Sequence, residues 1–419
     1  MQQLLKQLLR LLAQWHLSRF RPRVVAITGS VGKTSAKTAA AAVLSTRFRV
    51  RASRGNYNNE LGVPLTILGF DSPGKNVFGW LALLLQAAIG LIFGENYPEV
   101  LVLELGADRP GDIGYLMDLL GAVEAGVLTY IGNSHLEFFA NEAELAREKL
   151  TLVKKLPASA AAIMNFDSPK VYEGRGMTKA PVTGYGLGAK AQLQATDLHV
   201  MNSGGQWGIN FKVHSEGHVV PFFVPALGQP AVYAALAGAA VGLKFGINLV
   251  QASEALKDYA PPAGRLRVLA GIKHTQILDD TYNAAPASAV AALEALASVA
   301  AGRRLAVLGS MAELGAASEA GHREVARKLM EAGVTLVFLA GTEAKIIQDE
   351  LARRQFTGRV SWYRDADAGR LAVQEALMEG DTVLVKGSQA ARMEKIVKEI
   401  MAQPEQASRV LVRQGPGWE

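Results

Sequence analysis

Arg23-Val24-Val25-Ala26-Ile27-Thr28-Gly29-Ser30-Val31-Gly32-Lys33-Thr34-Ser35 is the stretch that decides the fold. Its first six residues form a short, nearly continuous apolar run, the pattern of a strand covered on both faces. A glycine turn follows, and then an alanine-rich helical pattern over 33–44. Strand, glycine turn and helix N-terminus together form a phosphate-binding arrangement. The turn's N–H groups can wrap β- and γ-phosphates, Lys33 can neutralise their charge, and the Thr34 hydroxyl can ligate Mg²⁺. The full pattern GxxxxGK[ST] would need glycine at Ile27, so the string is a shortened variant. Its place between a buried strand and a helix is what supports nucleotide phosphate binding by Thr28, Gly29, Ser30, Val31, Gly32, Lys33, Thr34 and Ser35.

Outward from this unit, apolar strand candidates occur at 100–105, 125–131, 160–164, 275–278, 305–308, 335–339 and 382–385, mostly separated by helical patterns. This alternation predicts an α/β protein with largely parallel sheets. Between about 180 and 225 the texture becomes Gly-rich and alternating, which predicts antiparallel strands, and a helix is expected at 231–245. Pro261-Pro262-Ala263-Gly264 cannot continue a helix and marks a boundary. The expected organisation is an amphipathic helix at 1–22, a central P-loop domain at 23–260 with an apolar insertion at 72–98, and a Rossmann-like domain at 261–419.

The composition of the 419 residues, 49% hydrophobic and 20% charged, excludes a disordered or collagen-like chain. There is no cysteine, which removes disulfides, thiolate nucleophiles and Cys-ligated metals and makes a reducing cytoplasm the expected setting. Eleven Lys or Arg precede the first acidic residue, Glu60. That asymmetry points toward phosphates, nucleic acid or an anionic membrane surface, and the nucleic-acid reading lacks aromatic or groove-reading motifs. Leu4, Leu5, Leu8, Leu11, Leu12 and Trp15 recur at helical spacing with Lys6 and Arg10 between them. Val77–Phe93 is the most apolar segment, but as a helix it reaches only about 26 Å, short of a bilayer core. Burial or a contact at the inner membrane face remain its two readings.

Glu104 closes the strand VLVLEL and projects a carboxylate from its C-terminal end, where α/β proteins place their ligand crevices. His135 follows the strand expected at 125–131, and Lys149, in ELAREKLTLVKK, reads on its own as a solvated helix charge. Several motifs stand in order: TGSVGKTS, GNYNNELGVPLTIL (55–68), LELGADRPGDI (103–113), IGNSHLEFF (131–139), GRLRVL (264–269), DDTYNAAP (279–286), VLGSMAELG (307–315) and VKGSQAARME (385–394). In this order they resemble the Mur ligase family, most closely its UDP-N-acetylmuramoyl-tripeptide:D-alanyl-D-alanine ligase branch, from about Arg23 to Ile400.

The resemblance implies ATP- and Mg²⁺-dependent amide bond formation through an acylphosphate, adding D-alanyl-D-alanine or a similar amine to a cell-wall peptide precursor. It implies metal ligation by Thr34, Glu104, His135 and Lys149, the last through a carbamate that becomes an oxygen ligand or supports one. Lys33, Lys149, His135 and Arg265 would be catalytic, with Arg265 reaching the ATP phosphates. Asp280, Tyr282 and Asn283 would face the nucleotide. Asn56, Asn58, Asn59, Lys386, Ser388, Arg392 and Glu394 would face substrates. Arg109 and Asp112 read as ordinary turn charges.

Two departures stand out. Where the family reads roughly GxHNVYNALAA, this chain has Gly228-Gln229-Pro230-Ala231-Val232-Tyr233-Ala234-Ala235-Leu236, without the asparagine that hydrogen-bonds adenine. Only 22 residues precede the first strand, where the family carries a UDP-binding domain, so a different mode of acyl-substrate recognition is expected. The alternatives are a Mur-like ligase acting on a non-UDP or membrane-linked carboxylate, or a nucleotide-binding module whose catalysis has decayed.

Overall fold

The computed structural model describes all residues except 1, 56, 95, 133–138, 205, 301, 416–417 and 419. Helix α1 (Gln2–Phe20) leads into β1 (Arg23–Thr28), and the glycine turn feeds α2 (Lys33–Ser45). Then come β2 (Val50–Ala52), α3 (Gly62–Leu68), α4 (Val77–Phe93), β3 (Val100–Glu104), α5 (Asp112–Leu120), β4 (Ala125–Leu128), α6 (Glu142–Lys154), β5 (Ala161–Asn165) and β6 (Val182–Gly186). These strands form a parallel sheet in the order β2-β3-β1-β4-β5-β6. It is extended by β7 (Leu193–Ser203), parallel to β6, and by the antiparallel β8 (Gln206–Ser215) and β9 (His218–Val224).

β1 is central, with β3 on one side and β4 on the other, so the chain reverses its winding direction at β1. The carboxyl end of such a strand opens a crevice, and the phosphate-type turn sits there. Helices on both faces explain the unbroken burial of β1. Val25 and Ile27 pack with Ala36, Ala39, Ala40 and Val43 of α2, whereas Val24 and Ala26 pack with Leu116 of α5 and Leu152 of α6.

The second sheet has the order β10 (Arg267–Ala270), β11 (Gln276–Asp280), β15 (Thr382–Lys386), β12 (Arg304–Gly309), β13 (Leu336–Ala340), β14 (Arg359–Tyr363). Only β10 is antiparallel among its pairings. It too is covered on both faces, by separate apolar clusters.

Three elements depart from the sequence expectation. The strand expected over 125–131 ends at Leu128, because Tyr130 turns back to accept hydrogen bonds from Ser30 N (2.6 Å) and Val31 N (3.4 Å). The helix expected at 231–245 begins at Gln229, with Pro230 in its first turn, where a missing N–H costs nothing. The 180–225 region is antiparallel only from β7 onward, since β6 and the start of β7 still pair in parallel. α4 has the expected bounds, capped by the Asn76 side chain accepting from Gly79 N at 3.0 Å.

A candidate active site between two mostly parallel sheets

The carboxyl ends of β1 and β3 face those of β11 and β15 across a cleft of about 740 Å³. On the first wall, the turn after β1 needs two glycines. Gly32 has φ 88°, and a Cβ on Gly29, whose φ is 149°, would lie 2.0 Å from Thr129 Oγ1. Thr129 Oγ1 in turn donates to Val31 O at 2.7 Å, pinning the loop. Lys33 Nζ folds back to donate to Gly29 O at 2.8 Å and Ser30 O at 3.3 Å. Burial, with a smaller contribution from Arg265, lowers its pKa against the opposing pull of Glu104.

Glu104 is buried and fully engaged. Its Oε2 accepts from Thr34 Oγ1 at 3.0 Å and lies 3.3 Å from Lys37 Nζ, and its Oε1 accepts from Asn58 Nδ2 at 3.2 Å. Burial works against the charge, but Lys37, Lys33, Asn58 and Thr34 together hold the carboxyl below its ordinary value. Lys149 is 1% exposed yet lines the cleft. Burial first, and the Lys33 charge second, bring its pKa down from 10.5 to about 7. Its neighbour Glu148 is spent elsewhere, accepting from Gly111 N (2.8 Å) and Ile113 N (2.7 Å) at the start of α5.

From the second wall, Arg265 lays its guanidinium 4.1 Å from the centre of the Tyr282 ring, and its buried Nε has no hydrogen-bond partner among the described residues. Tyr282, Asn283, Ser388 and Arg392 line the same cleft. A smaller cavity of about 210 Å³ opens on the other side of Val31 and Gly32, lined by Tyr130, Asn165, Tyr185, Pro230, Tyr233 and Ala234 among others.

The cleft thus gathers Ser30, Val31, Gly32, Lys33, Thr34, Asn58, Asn59, Glu104, Lys149, Arg265, Tyr282, Asn283, Ser388 and Arg392 from the residues singled out in the sequence. Others are placed differently. Thr28 is buried and donates to Leu105 O at 2.8 Å, so it braces the strand end. Ser35 and Asp280 line a small adjoining cavity together with Lys386. Lys386, expected at the substrate, is buried against Asp280 and also donates to Asn283 O at 2.9 Å, so its charge is spent holding the loop after β11. Glu394 is wholly buried between Arg392 (2.6 Å) and Arg413 (2.8 Å) and does not reach the cleft. Asn56 and His135 lie outside the described residues. Arg109 contributes its N–H to the turn that Asp112 Oδ2 closes, at 2.8 Å, as expected of turn charges.

Sequence reasoning passed over Lys37 and Arg413. Lys37 follows Lys33 by one helical turn, so its spacing alone could have flagged it. Arg413 donates to Thr281 O and Tyr282 O from the far C-terminus, and no motif marks it.

The donor set fits a nucleoside triphosphate with Mg²⁺. Lys33, Lys149 and an unpartnered Arg265 nitrogen converge beside the loop amides, and a hydroxyl with one carboxylate is the hard-oxygen set that Mg²⁺ shares with phosphates and water. Among the described residues no group of three or more His, Cys, Asp or Glu forms. A P-loop sheet facing a second, mostly parallel sheet across such a cleft is the layout of a nucleotide-binding α/β protein.

The Mur ligase middle domain matches residues 27–242, and the "Mur ligase, glutamate ligase domain" matches residues 264–389. The chain is 31% identical to the UDP-N-acetylmuramoyl-tripeptide–D-alanyl-D-alanine ligase of Bacillus subtilis (strain 168), over 94% of this chain and 79% of that one. It is also 31% identical to the Escherichia coli (strain K12) ligase of the same name, over 92% and 78%. The MurF ligase of Thermotoga maritima in complex with ADP shares the fold, with a TM-score of 0.78 at 24% identity over 96% of this chain and 84% of that one. The chain belongs to the Mur ligase family, ATP-dependent ligases that form amide bonds and use Mg²⁺.

Proposed function

We propose that the chain joins the terminal carboxylate of a UDP-N-acetylmuramoyl-tripeptide to the amine of D-alanyl-D-alanine, the pair named by its relatives. The observation that carries this reading is the convergence of Lys33, Glu104 and Lys149 on one wall with Arg265, Ser388 and Arg392 on the other. In this reading the loop amides and Lys33 hold the β- and γ-phosphates, and Arg265 reaches them from the second domain. The substrate carboxylate forms a bond to the γ-phosphorus as ADP leaves. The amine then attacks the acyl carbon of the acylphosphate, loses a proton and expels phosphate. Thr34 and Glu104, with His135 and a carbamoylated Lys149, would hold Mg²⁺, which supplies charge neutralisation at the phosphates. Ser388 and Arg392 would position the incoming amine substrate, with Asn58 and Asn59 on the acyl side.

A lowered Lys149 pKa supports the carbamate. The free amine attacks CO₂ and sheds a proton, and the resulting carboxylate lies in the field of Lys33 that disfavours the ammonium. The 210 Å³ cavity, rich in aromatic side chains, suits the base. A donor carboxylate on a membrane-linked carrier is the second reading, favoured by uncovered apolar side chains on α1 and α4.

The test is phosphate release from ATP with each substrate omitted in turn, with mass detection of the ligated peptide. Release that requires both substrates, with a product of the summed mass less water, supports the assignment. A product formed only from a lipid-linked precursor selects the second reading, and release independent of any carboxylate sinks both.

A further inference from the structure

α4 contains no charged residue, and its buried residues are Leu83 and Ala87, which pack with Leu9 and Leu12 of α1 and with Leu65 and Leu68 of α3. On the other side of the helix, Phe78, Leu81, Leu85, Ile89 and Ile92 are exposed, Phe78 to 83%. α1 leaves a second row uncovered, Leu4, Leu8, Leu11 and Trp15. The helices lie side by side and run in the same direction. A Cβ on Gly90 would stand 3.9 Å from His16 Nε2, and one on Gly94 would stand 3.3 Å from Phe20. That register sets Leu4 level with Phe78, Leu8 with Leu81, Leu11 with Leu85 and Trp15 with Ile89. The two rows therefore run level with one another along the paired helices. Together they leave nine large apolar side chains exposed on two packed helices, a concentration of the kind that marks an interaction surface.

We infer that this two-helix face seats the enzyme on an anionic lipid surface, an inference independent of which carboxylate it ligates. Charge decides between lipid and a second copy. Lys75 precedes α4 and Arg19 and Arg21 close α1, so exposed cations stand at both ends of the paired helices. Among the described residues the nearby acids Glu60, Asp71 and Glu99 are already paired with Lys6, Arg54 and Arg49. Twofold self-association through this face would bring like-charged rims together, whereas anionic headgroups complement them. No helix among the described residues is long and apolar enough to cross a membrane, and an amphipathic pair this size lies in the headgroup region instead.

The experiment is flotation of the full chain with phosphatidylcholine vesicles, with and without phosphatidylglycerol, at low and high salt. Light scattering of the protein alone and circular dichroism of each variant accompany it. Binding to phosphatidylglycerol vesicles should exceed binding to phosphatidylcholine alone by about tenfold or more and should weaken with salt. Leu81→Glu with Leu85→Glu, at exposed positions that leave the fold intact, should abolish it, and Arg21→Glu with Lys75→Glu should remove the lipid preference. Three results would overturn the inference: no flotation of the wild type at low salt, flotation unchanged in the folded double-glutamate variant, or a dimer that this variant dissociates.

Discussion

Lys149 provides the sharpest test of the site. With a pKa of about 7, roughly three-quarters of its amines are uncharged at pH 7.5, against about one in a thousand for a lysine at 10.5. Only the uncharged amine reacts with CO₂. Carbon NMR with labelled bicarbonate should therefore show a carbamate that forms across pH 7–8, and Lys149→Ala should lose it. Ligase activity should fall with the carbamate and partly return when short carboxylic acids fill the vacated space. The same burial has a cost in stability. Between pH 7 and 10.5 the unfolded chain keeps a proton on this lysine that the folded chain sheds, so this group makes stability rise with pH through that window. At pH 7.5 the cost is on the order of 4 kcal/mol, so Lys149→Met should raise the melting temperature while abolishing activity. A labelled carbamate absent at saturating bicarbonate, or present only above pH 9, would refute the argument.

Lys33→Ala should abolish ATP turnover with an unchanged circular dichroism spectrum, since its ammonium contacts loop carbonyls rather than core; wild-type phosphate release would exclude the loop from the chemistry. Lys37→Met leaves the buried Glu104 carboxylate without its ion-pair partner and should destabilise the fold by about 3–5 kcal/mol, with a parallel rise in the Mg²⁺ needed for half-maximal activity. Chemical denaturation and a Mg²⁺ titration read the two effects separately. Pro230, Ala231 and Ala234 offer no side-chain hydrogen bond to a base, so GTP should support turnover within about tenfold of ATP. A preference beyond a thousandfold would assign adenine recognition to another group, Asn165, Gln229 and Ser288 being polar side chains that line that cavity.

The parts of the site legible in the sequence are those whose chemistry and chain position coincide. The turn at 28–35 names its own strand and helix, and Glu104 sits at a strand end where any doubly wound sheet directs it toward the crevice. What stayed hidden depends on contacts across the chain. Lys149 and Lys155 occupy the same helical pattern, yet Lys149 is buried at the cleft that the P-loop lines while Lys155 reaches Asp118 at the surface. Only the packing of α6 beneath the sheet separates them. Lys386 and Glu394 belong to a motif that does reach the cleft, through Ser388 and Arg392. Near its two ends, Lys386 and Glu394 turn inward to hold the loops at Asp280 and Arg413. A motif identifies a segment as functional without saying which side chains meet the ligand. In this chain that division is made by burial: Lys386, Glu394 and Arg413 find protein partners within hydrogen-bond reach and stiffen the loops, whereas Lys149 lines the cleft and Arg265 enters it with an Nε that has no partner among the described residues.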